Sequence, residues 1–94
     1  MVRILIVEDD EVIAVEIAKS LKSWGFDAVI ARAFDRIDEE FATSGAQLVI
    51  MDISLPYYNG YYWCERIRRS SKVPIVFLSS RTDTADVVMA VNMG

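Results

Sequence analysis

The sequence has no histidine and a single cysteine, Cys64, among its 94 residues. These shortages exclude an internal disulfide, a Cys/His catalytic pair and a zinc site built from the usual nitrogen and sulfur ligands. One isolated thiol fits a reducing compartment. The apolar runs are also too short for a signal or membrane segment. We therefore expect a cytoplasmic location without membrane insertion.

Positive charge is scarce as well. Ten Lys and Arg residues face 14 Asp and Glu residues, which leaves a net charge of −4. This balance argues against nucleic acid binding by this segment. With 53% hydrophobic and 26% charged residues, the composition is typical of one small globular domain with a modest core.

Four short apolar runs alternate with helical patterns along the chain. The predicted strands are Arg3–Val7, Asp27–Ala31, Gln47–Asp52 and Ile75–Leu78. The first predicted helix has an apolar stripe at helical spacing, formed by Ile13, Ile17, Leu21 and Trp24. Because each strand is followed by a helix, the pattern predicts an α/β fold with a doubly wound parallel sheet.

Three further helices complete this pattern. The second spans Phe34–Thr43 with Ile37 and Phe41 facing inward, and it ends at Ser44 and Gly45. The third follows Asn59 and places Trp63 and Ile67 on one face. The last runs over Thr84–Asn92 and packs Ala85, Val88 and Met89.

The central predicted strand ends on a carboxylate. Leu48 to Met51 is a continuous apolar run, as expected of a parallel strand buried on both faces, and it is followed by Asp52 and then Pro56. An acid at this end of a central parallel strand lies where ligands usually bind in open α/β sheets. Taken alone, Asp52 is equally compatible with a solvated strand end.

Other polar residues follow the neighbouring strands. Glu8 and Asp9 follow the first strand and Ser79 follows the fourth, so we expect them beside Asp52. Clustered carboxylates repel one another unless a cation offsets them, and Mg²⁺ suits an oxygen-rich site. Asp52 is then a candidate nucleophile for a phosphoryl group that Ser79 could hydrogen-bond. The alternative is that Glu8, Asp9 and Asp10 simply cap the following helix.

Three motifs resemble the receiver domain of two-component response regulators. They are Val7-Glu8-Asp9-Asp10, then Asp52-Ile53-Ser54-Leu55-Pro56 with Gly60, and finally Ser79-Ser80-Arg81. The resemblance runs the length of the chain. The stretch from Tyr57 to Cys64 further resembles OmpR/PhoB-type regulators that answer cell-envelope stress and peptide antibiotics.

The resemblance implies a flavodoxin-like (CheY-like) strand order of 2-1-3-4-5 and a set of site residues. Asp52 matches the phosphoacceptor. Mg²⁺ would be held by Glu8, Asp9, Asp52 and the backbone carbonyl of Ser54. Ser79 matches the switch residue that contacts the phosphoryl group, and Ser80 and Arg81 are candidate anion contacts.

The resemblance also implies partners. A sensor histidine kinase would supply the phosphoryl group and dock on the exposed side of the first helix, at Glu11 and Lys19. The phosphorylated domain would control dimerisation and DNA binding through an effector domain that is not in this chain. Such a receiver is not an enzyme, although it assists its own phosphorylation and dephosphorylation.

The sequence departs from the family pattern at its C-terminal end. Receivers carry a fifth strand with a lysine and then a fifth helix, and neither is recognisable here. We therefore expect residues 1–94 to form a receiver domain that is incomplete at its C-terminus, with no DNA-binding domain. An exposed fourth strand, Ile75–Leu78, would then favour self-association by edge pairing or exchanged elements. We also expect phosphorylation to be slow or short-lived.

Three alternatives compete with the receiver interpretation. A hydrolase with an aspartyl-phosphate intermediate usually carries its nucleophile after the first strand, not the third. A nucleotide-binding module needs a glycine-rich first turn, which is absent here. A receiver-like interaction domain that never uses phosphate stays open. Tyr57, Tyr58, Tyr61 and Tyr62 are a candidate partner surface, whereas Trp63 and Cys64 are expected in the core.

Overall fold

A computed structural model describes residues 1–78 and the backbone of residues 88–91. Its strands are Arg3–Val7 (β1), Asp27–Ile30 (β2), Leu48–Asp52 (β3), Ile75–Leu78 (β4) and Val88–Val91 (β5). Its helices are Glu11–Ser23 (α1), Ile37–Ser44 (α2) and Gly60–Arg68 (α3). In this part of the chain, none of the helices has the length and apolar character needed to cross a membrane.

The strands form one sheet in the order β2-β1-β3-β4-β5. Strands β1 to β4 are parallel, with Ile4 opposite both Ala28 and Leu48. β3 therefore lies between β1 and β4, and the strand that ends in Asp52 is central. The parallel arrangement and its connecting helices confirm the predicted doubly wound α/β fold.

The fifth strand corrects the prediction for the end of the chain. Val88–Val91 pairs antiparallel with β4, with Val91 opposite Ile75 and Val88 opposite Leu78. The predicted helix over Thr84–Asn92 is therefore wrong at 88–91, and its other positions lie outside the described residues. Short apolar runs are ambiguous between helix and strand, and β-branched valines favour the strand.

β5 also corrects two expectations: that a fifth strand is absent, and that β4 is an exposed edge. A fifth strand is present, although it is antiparallel and not the parallel strand of the family pattern. β4 is paired on both sides, with β3 and with β5, so it is not an exposed edge. The predicted route to self-association through an exposed fourth strand therefore loses its basis.

One face of the sheet is covered by α2 and α3. The residues that β1, β3 and β4 place on this face are less than 3% exposed, namely Leu5, Val7, Val49, Met51, Ile75 and Phe77, whereas Val29 of β2 is half-buried. Trp63, Cys64 and Ile67 of α3 pack against them. The predicted core positions of Trp63 and Cys64 are confirmed. Burial also raises the pKa of the Cys64 thiol, which makes this cysteine a packing residue of low reactivity.

The opposite face is covered by α1 alone among the described helices, and here the predicted stripe is displaced. The buried residues of α1 are Ala14, Ala18 and Leu21. Ile13 and Ile17 are half-buried beside them. Trp24 is 72% exposed, so its predicted burial is wrong. Two alanines let the helix lie close to the sheet, whereas Trp24 is the C-cap beyond the last turn.

The second helix begins later than predicted. α2 starts at Ile37, and Arg36 is its N-cap without a side-chain hydrogen bond. Ile37 is fully buried, as expected, and Phe41 is half-buried. The helix ends at Ser44, where Gly45 adopts the left-handed conformation with φ of 72°. Glycine accepts this conformation without a steric penalty, which explains the predicted stop.

Candidate functional site

The acids after β1 divide into one capping residue and two others. Asp10 is the N-cap of α1, and its Oδ1 accepts hydrogen bonds from the amides of Val12 at 3.0 Å and Ile13 at 3.3 Å. Glu8 instead accepts a hydrogen bond from the Asp10 amide at 3.1 Å, through Oε2. The capping alternative therefore holds for Asp10 but does not account for Glu8 and Asp9.

Asp52 ends β3 in the middle of the sheet and is only 1% exposed. Its Oδ1 accepts a hydrogen bond from the Ser54 amide at 3.2 Å. The next residue, Ile53, donates its amide to the Leu78 carbonyl at 3.1 Å, which ties the strand end to β4. The carboxylate is thus held by backbone on a rigid element rather than on a flexible loop.

The sheet brings Glu8, Asp9 and Asp52 together. One carboxylate oxygen from each lies within 4.8 Å of the others. Glu8 and Asp52 are buried, whereas Asp9 is exposed. This arrangement follows from the parallel pairing of β1 with β3, in which Val7 lies opposite Met51 and both strands end at the same edge.

Burial and mutual repulsion perturb the two inner acids. The pKa of Glu8 is raised to about 7, chiefly by burial; the nearby Asp52 and Asp9 carboxylates contribute to this rise, and the hydrogen bond from the Asp10 amide opposes it. The pKa of Asp52 is also raised, again chiefly by burial, while the hydrogen bond from the Ser54 amide opposes the shift. Without a cation, the folded protein therefore disfavours the charged forms of Glu8 and Asp52.

The donor set fits Mg²⁺. All three side chains offer hard oxygen ligands, which this ion prefers, and the exposed side at Asp9 leaves room for the waters that it retains. Within the described part of the chain, the buried Oε1 of Glu8 has no hydrogen-bond partner. Because a buried carboxylate oxygen normally has a partner, this atom is suited to face a cation.

The loop after Asp52 returns closely onto the strand. Asn59 is the N-cap of α3 and accepts the Tyr62 amide at 2.9 Å, while the Gly60 amide donates to the Ile53 carbonyl at 2.9 Å. A Cβ atom on Gly60 would overlap the carbonyl oxygen of Asp52. The sequence motif included Gly60 without a structural role, and no spacing pattern could have revealed this contact.

Of the remaining predicted site residues, Ser54 is described, and its predicted role as a carbonyl ligand of Mg²⁺ stays a prediction. Ser54 is half-buried directly after the site, and its amide contacts Asp52. Ser79, Ser80 and Arg81 lie outside the described residues, so their predicted contacts stay predictions.

The tyrosines beside the site are partly packed on one another. Tyr58 stacks on Tyr62 with ring centroids 4.1 Å apart, and Arg66 lies over the Tyr62 ring at 5.9 Å. Tyr57 is 77% exposed and has a positive φ of 68°. The exposed tyrosines remain a candidate partner surface.

Residues 4–94 match the response regulator receiver domain family, and the chain belongs to that family. Receiver domains of two-component systems are signalling modules, not classical enzymes. This membership removes the hydrolase and nucleotide-binding alternatives.

The chain is similar to a curated relative and to two solved structures. It is 44% identical over 92 residues to the response regulator protein GraR of Staphylococcus epidermidis, covering 98% of this chain and 41% of the relative. The N-terminal domain of NsrR, a lantibiotic response regulator of nisin resistance, is 34% identical with a TM-score of 0.78, covering 93% of this chain and 74% of that one. TrrA of Thermotoga maritima, solved with Mg²⁺ and BeF, is 27% identical with a TM-score of 0.78, covering 90% and 78%.

These similarities bear on the predicted subgroup and on the extent of the chain. NsrR is a regulator of resistance to a peptide antibiotic, which agrees with the predicted class of regulators. The chain spans about two-fifths of the length of the GraR relative that it matches. TrrA has also been solved in complex with the histidine kinase ThkA.

Proposed function

We propose that this receiver domain accepts a phosphoryl group from a sensor histidine kinase onto Asp52, with Mg²⁺ bound beside it. The observation that carries the proposal is the cluster of Glu8, Asp9 and Asp52, with Asp52 buried at the end of the central strand. A buried carboxylate held by backbone hydrogen bonds presents its free oxygen in a defined direction.

The transfer is a displacement at phosphorus. A carboxylate oxygen of Asp52 attacks the phosphorus of phosphohistidine, the phosphorus–nitrogen bond breaks, and the electron pair remains on the imidazole nitrogen of the kinase. Asp52 becomes an acyl phosphate. Water later attacks this group, which releases inorganic phosphate and restores the carboxylate, so the domain assists its own dephosphorylation.

The charged form of Asp52 is needed as nucleophile, and the site opposes that form without a cation. In the proposed site, Glu8, Asp9, Asp52 and the backbone carbonyl of Ser54 would hold Mg²⁺. Bound Mg²⁺ supplies positive charge that lowers the repulsion between these acids and the incoming phosphoryl oxygens. The ion would thereby also favour the charged forms of Glu8 and Asp52, the two acids with raised pKa values.

The same proposal extends to the partners. The structure of TrrA with ThkA supports a kinase as the phosphoryl donor, here docking on the exposed side of α1 at Glu11 and Lys19. Ser79 would contact the phosphoryl group, with Ser80 and Arg81 as neighbouring anion contacts. The switch would act in the cytoplasm on dimerisation and DNA binding through a separate effector domain, and residues 1–94 would contribute only the receiver.

Intact-mass spectrometry after incubation with acetyl phosphate and Mg²⁺ tests this function. We expect the wild type to gain one phosphoryl group, and we expect Asp52→Ala and chelation of Mg²⁺ to abolish the gain. Asp27→Ala, which changes an acid at the other end of the sheet, is the matched control and should label normally. Labelling that persists in Asp52→Ala would contradict the assignment. A folded wild type that binds Mg²⁺ but never labels would support an interaction domain that does not use phosphate.

A further inference from the structure

Gly60 has an unusually close contact with the proposed phosphoacceptor. It is the first residue of α3, it is buried, and its amide donates to the Ile53 carbonyl at 2.9 Å. A Cβ placed on Gly60 would overlap the carbonyl oxygen of Asp52 and lie 3.1 Å from its carbonyl carbon. It would also lie 3.0 Å from Cγ of Met51.

The requirement for glycine here comes from space and not from backbone conformation. Among the glycines that the structure describes, Gly25 and Gly45 have positive φ, whereas Gly60 does not. The atom that a Cβ on Gly60 would overlap is the backbone carbonyl oxygen of Asp52. Because this carbonyl belongs to a central strand, it cannot move away as the end of a flexible side chain can. Any side chain at position 60 must therefore separate α3 from β3 or displace the Asp52 peptide.

We infer that Gly60 is a positioning residue for Asp52: it lets the first turn of α3 rest directly on the Asp52 peptide and so fixes the carboxylate relative to Glu8 and Asp9. The Asp52 end of β3 is then held from two sides. On one side Ile53 is bonded to Leu78 of β4 at 3.1 Å, and on the other Gly60 is bonded to Ile53 at 2.9 Å. This inference rests on the proposed function of Asp52.

The physical consequence of moving Asp52 is large compared with the size of the movement. A displacement of about 1 Å can reduce a reaction rate by about two orders of magnitude, because reacting atoms must be aligned. Metal binding depends on the same geometry, since Mg²⁺ tolerates little deviation from an octahedral arrangement. A glycine that does not touch Mg²⁺ or phosphate can therefore control both.

The test compares Gly60→Ala with Gly25→Ala. Gly25 has a φ of 90°, and no atom lies within 4 Å of the position that a Cβ would take there. Alanine at position 25 therefore strains the backbone without a collision and far from the site. Both variants should be less stable than the wild type. The informative quantities are the Mg²⁺ dissociation constant from calorimetry and the labelling rate at saturating Mg²⁺ and acetyl phosphate.

We expect Gly60→Ala to weaken Mg²⁺ binding about tenfold and to lower the saturated labelling rate by about tenfold or more. Gly25→Ala should leave both values within about twofold of wild type, as expected for a change that acts on stability alone. Measurements are made at low temperature with trimethylamine oxide, which restores the folded fraction, and that fraction is checked by circular dichroism.

Two results overturn the inference. One is a Gly60→Ala protein that binds Mg²⁺ and labels like Gly25→Ala. The other is a Gly60→Ala protein that stays unfolded in the osmolyte, because the proposed effect is a local displacement. An unlabelled wild type would instead refute the proposed function, and the Mg²⁺ dissociation constants would still decide whether Gly60 positions the acid cluster.

Discussion

The two ends of the parallel strands differ in how their charged side chains are arranged: opposite charges pair at one end, and like charges cluster at the other. At the N-terminal end, Arg3 pairs with Asp27 through Nε at 2.7 Å and donates from Nη1 to the Ser44 carbonyl at 2.9 Å. At the C-terminal end, Glu8, Asp9 and Asp52 crowd together. None of the ion pairs in the described ranges includes any of these three acids.

The N-terminal end of the sheet therefore carries a stabilising ion pair, whereas the C-terminal end carries the candidate functional site. The Arg3–Asp27 pair is partly exposed and so contributes little, on the order of 1 kcal/mol or less. At the other end, Glu8 and Asp52 oppose folding in the absence of a cation, because burial disfavours their charged forms. Such a locally unfavourable cluster is typical of functional sites, where stability is given up for chemistry.

Addition of Mg²⁺ should produce the largest effect at the acidic end. At 100 times its dissociation constant, a ligand specific for the folded state adds about 2.7 kcal/mol. In a domain of this size that corresponds to roughly 10 to 20 °C in the melting temperature. Differential scanning calorimetry of wild type and Asp27→Asn should show the same increase in both, and Asp52→Asn should lose most of it. An equal increase in all three proteins would place the ion elsewhere.

The same chemical change should have opposite signs at the two ends. Without divalent cations, Asp52→Asn should raise the free energy of unfolding by roughly 1 to 3 kcal/mol, because it removes a buried charge and supplies an amide donor next to Glu8. Asp27→Asn should lower it by about 0.5 kcal/mol, because Arg3 loses its charged partner. Urea denaturation measures both. Destabilisation by Asp52→Asn would show that the acid cluster is not a cost to folding.

The pH dependence of stability should also distinguish the acidic end, through Glu8. The pKa of Glu8 is raised from 4.5 to about 7 in the folded protein, so between these values the folded state holds a proton that the unfolded state has released. This contribution is fully present below pH 4.5 and is lost as pH rises through 7. The Glu8→Gln protein lacks this pH-dependent contribution, because its amide side chain does not titrate.

Urea denaturation of the metal-free proteins at several pH values tests this contribution. The stability of wild type relative to Glu8→Gln should fall by roughly 2 kcal/mol between about pH 5 and pH 8, as a rise in pKa from 4.5 to about 7 implies. Other acids that favour folding at higher pH cancel in this comparison. A constant difference across the range would mean that Glu8 is ionised throughout.

Much of this fold could be predicted because each parallel strand corresponds to a short, continuous apolar run in the sequence. Strands β1 and β4 begin and end where the apolar runs do, and the run before Asp52 is a fully central strand. The convergence of Glu8, Asp9 and Asp52 was predictable for the same reason, since parallel strands end at one edge. The errors lie where periodicity is ambiguous, at Trp24 and at Val88–Val91.

By itself, the sequence determined the alternation of strands and helices, the set of acids at the strand ends and the family. These are encoded locally, in hydrophobic periodicity and in the residue that follows each strand. Tertiary structure alone decided which acid caps α1, how far burial raises the pKa of Glu8, and why position 60 must lack a side chain. Each of these depends on atoms that are distant in sequence and adjacent only after the sheet and helices have packed.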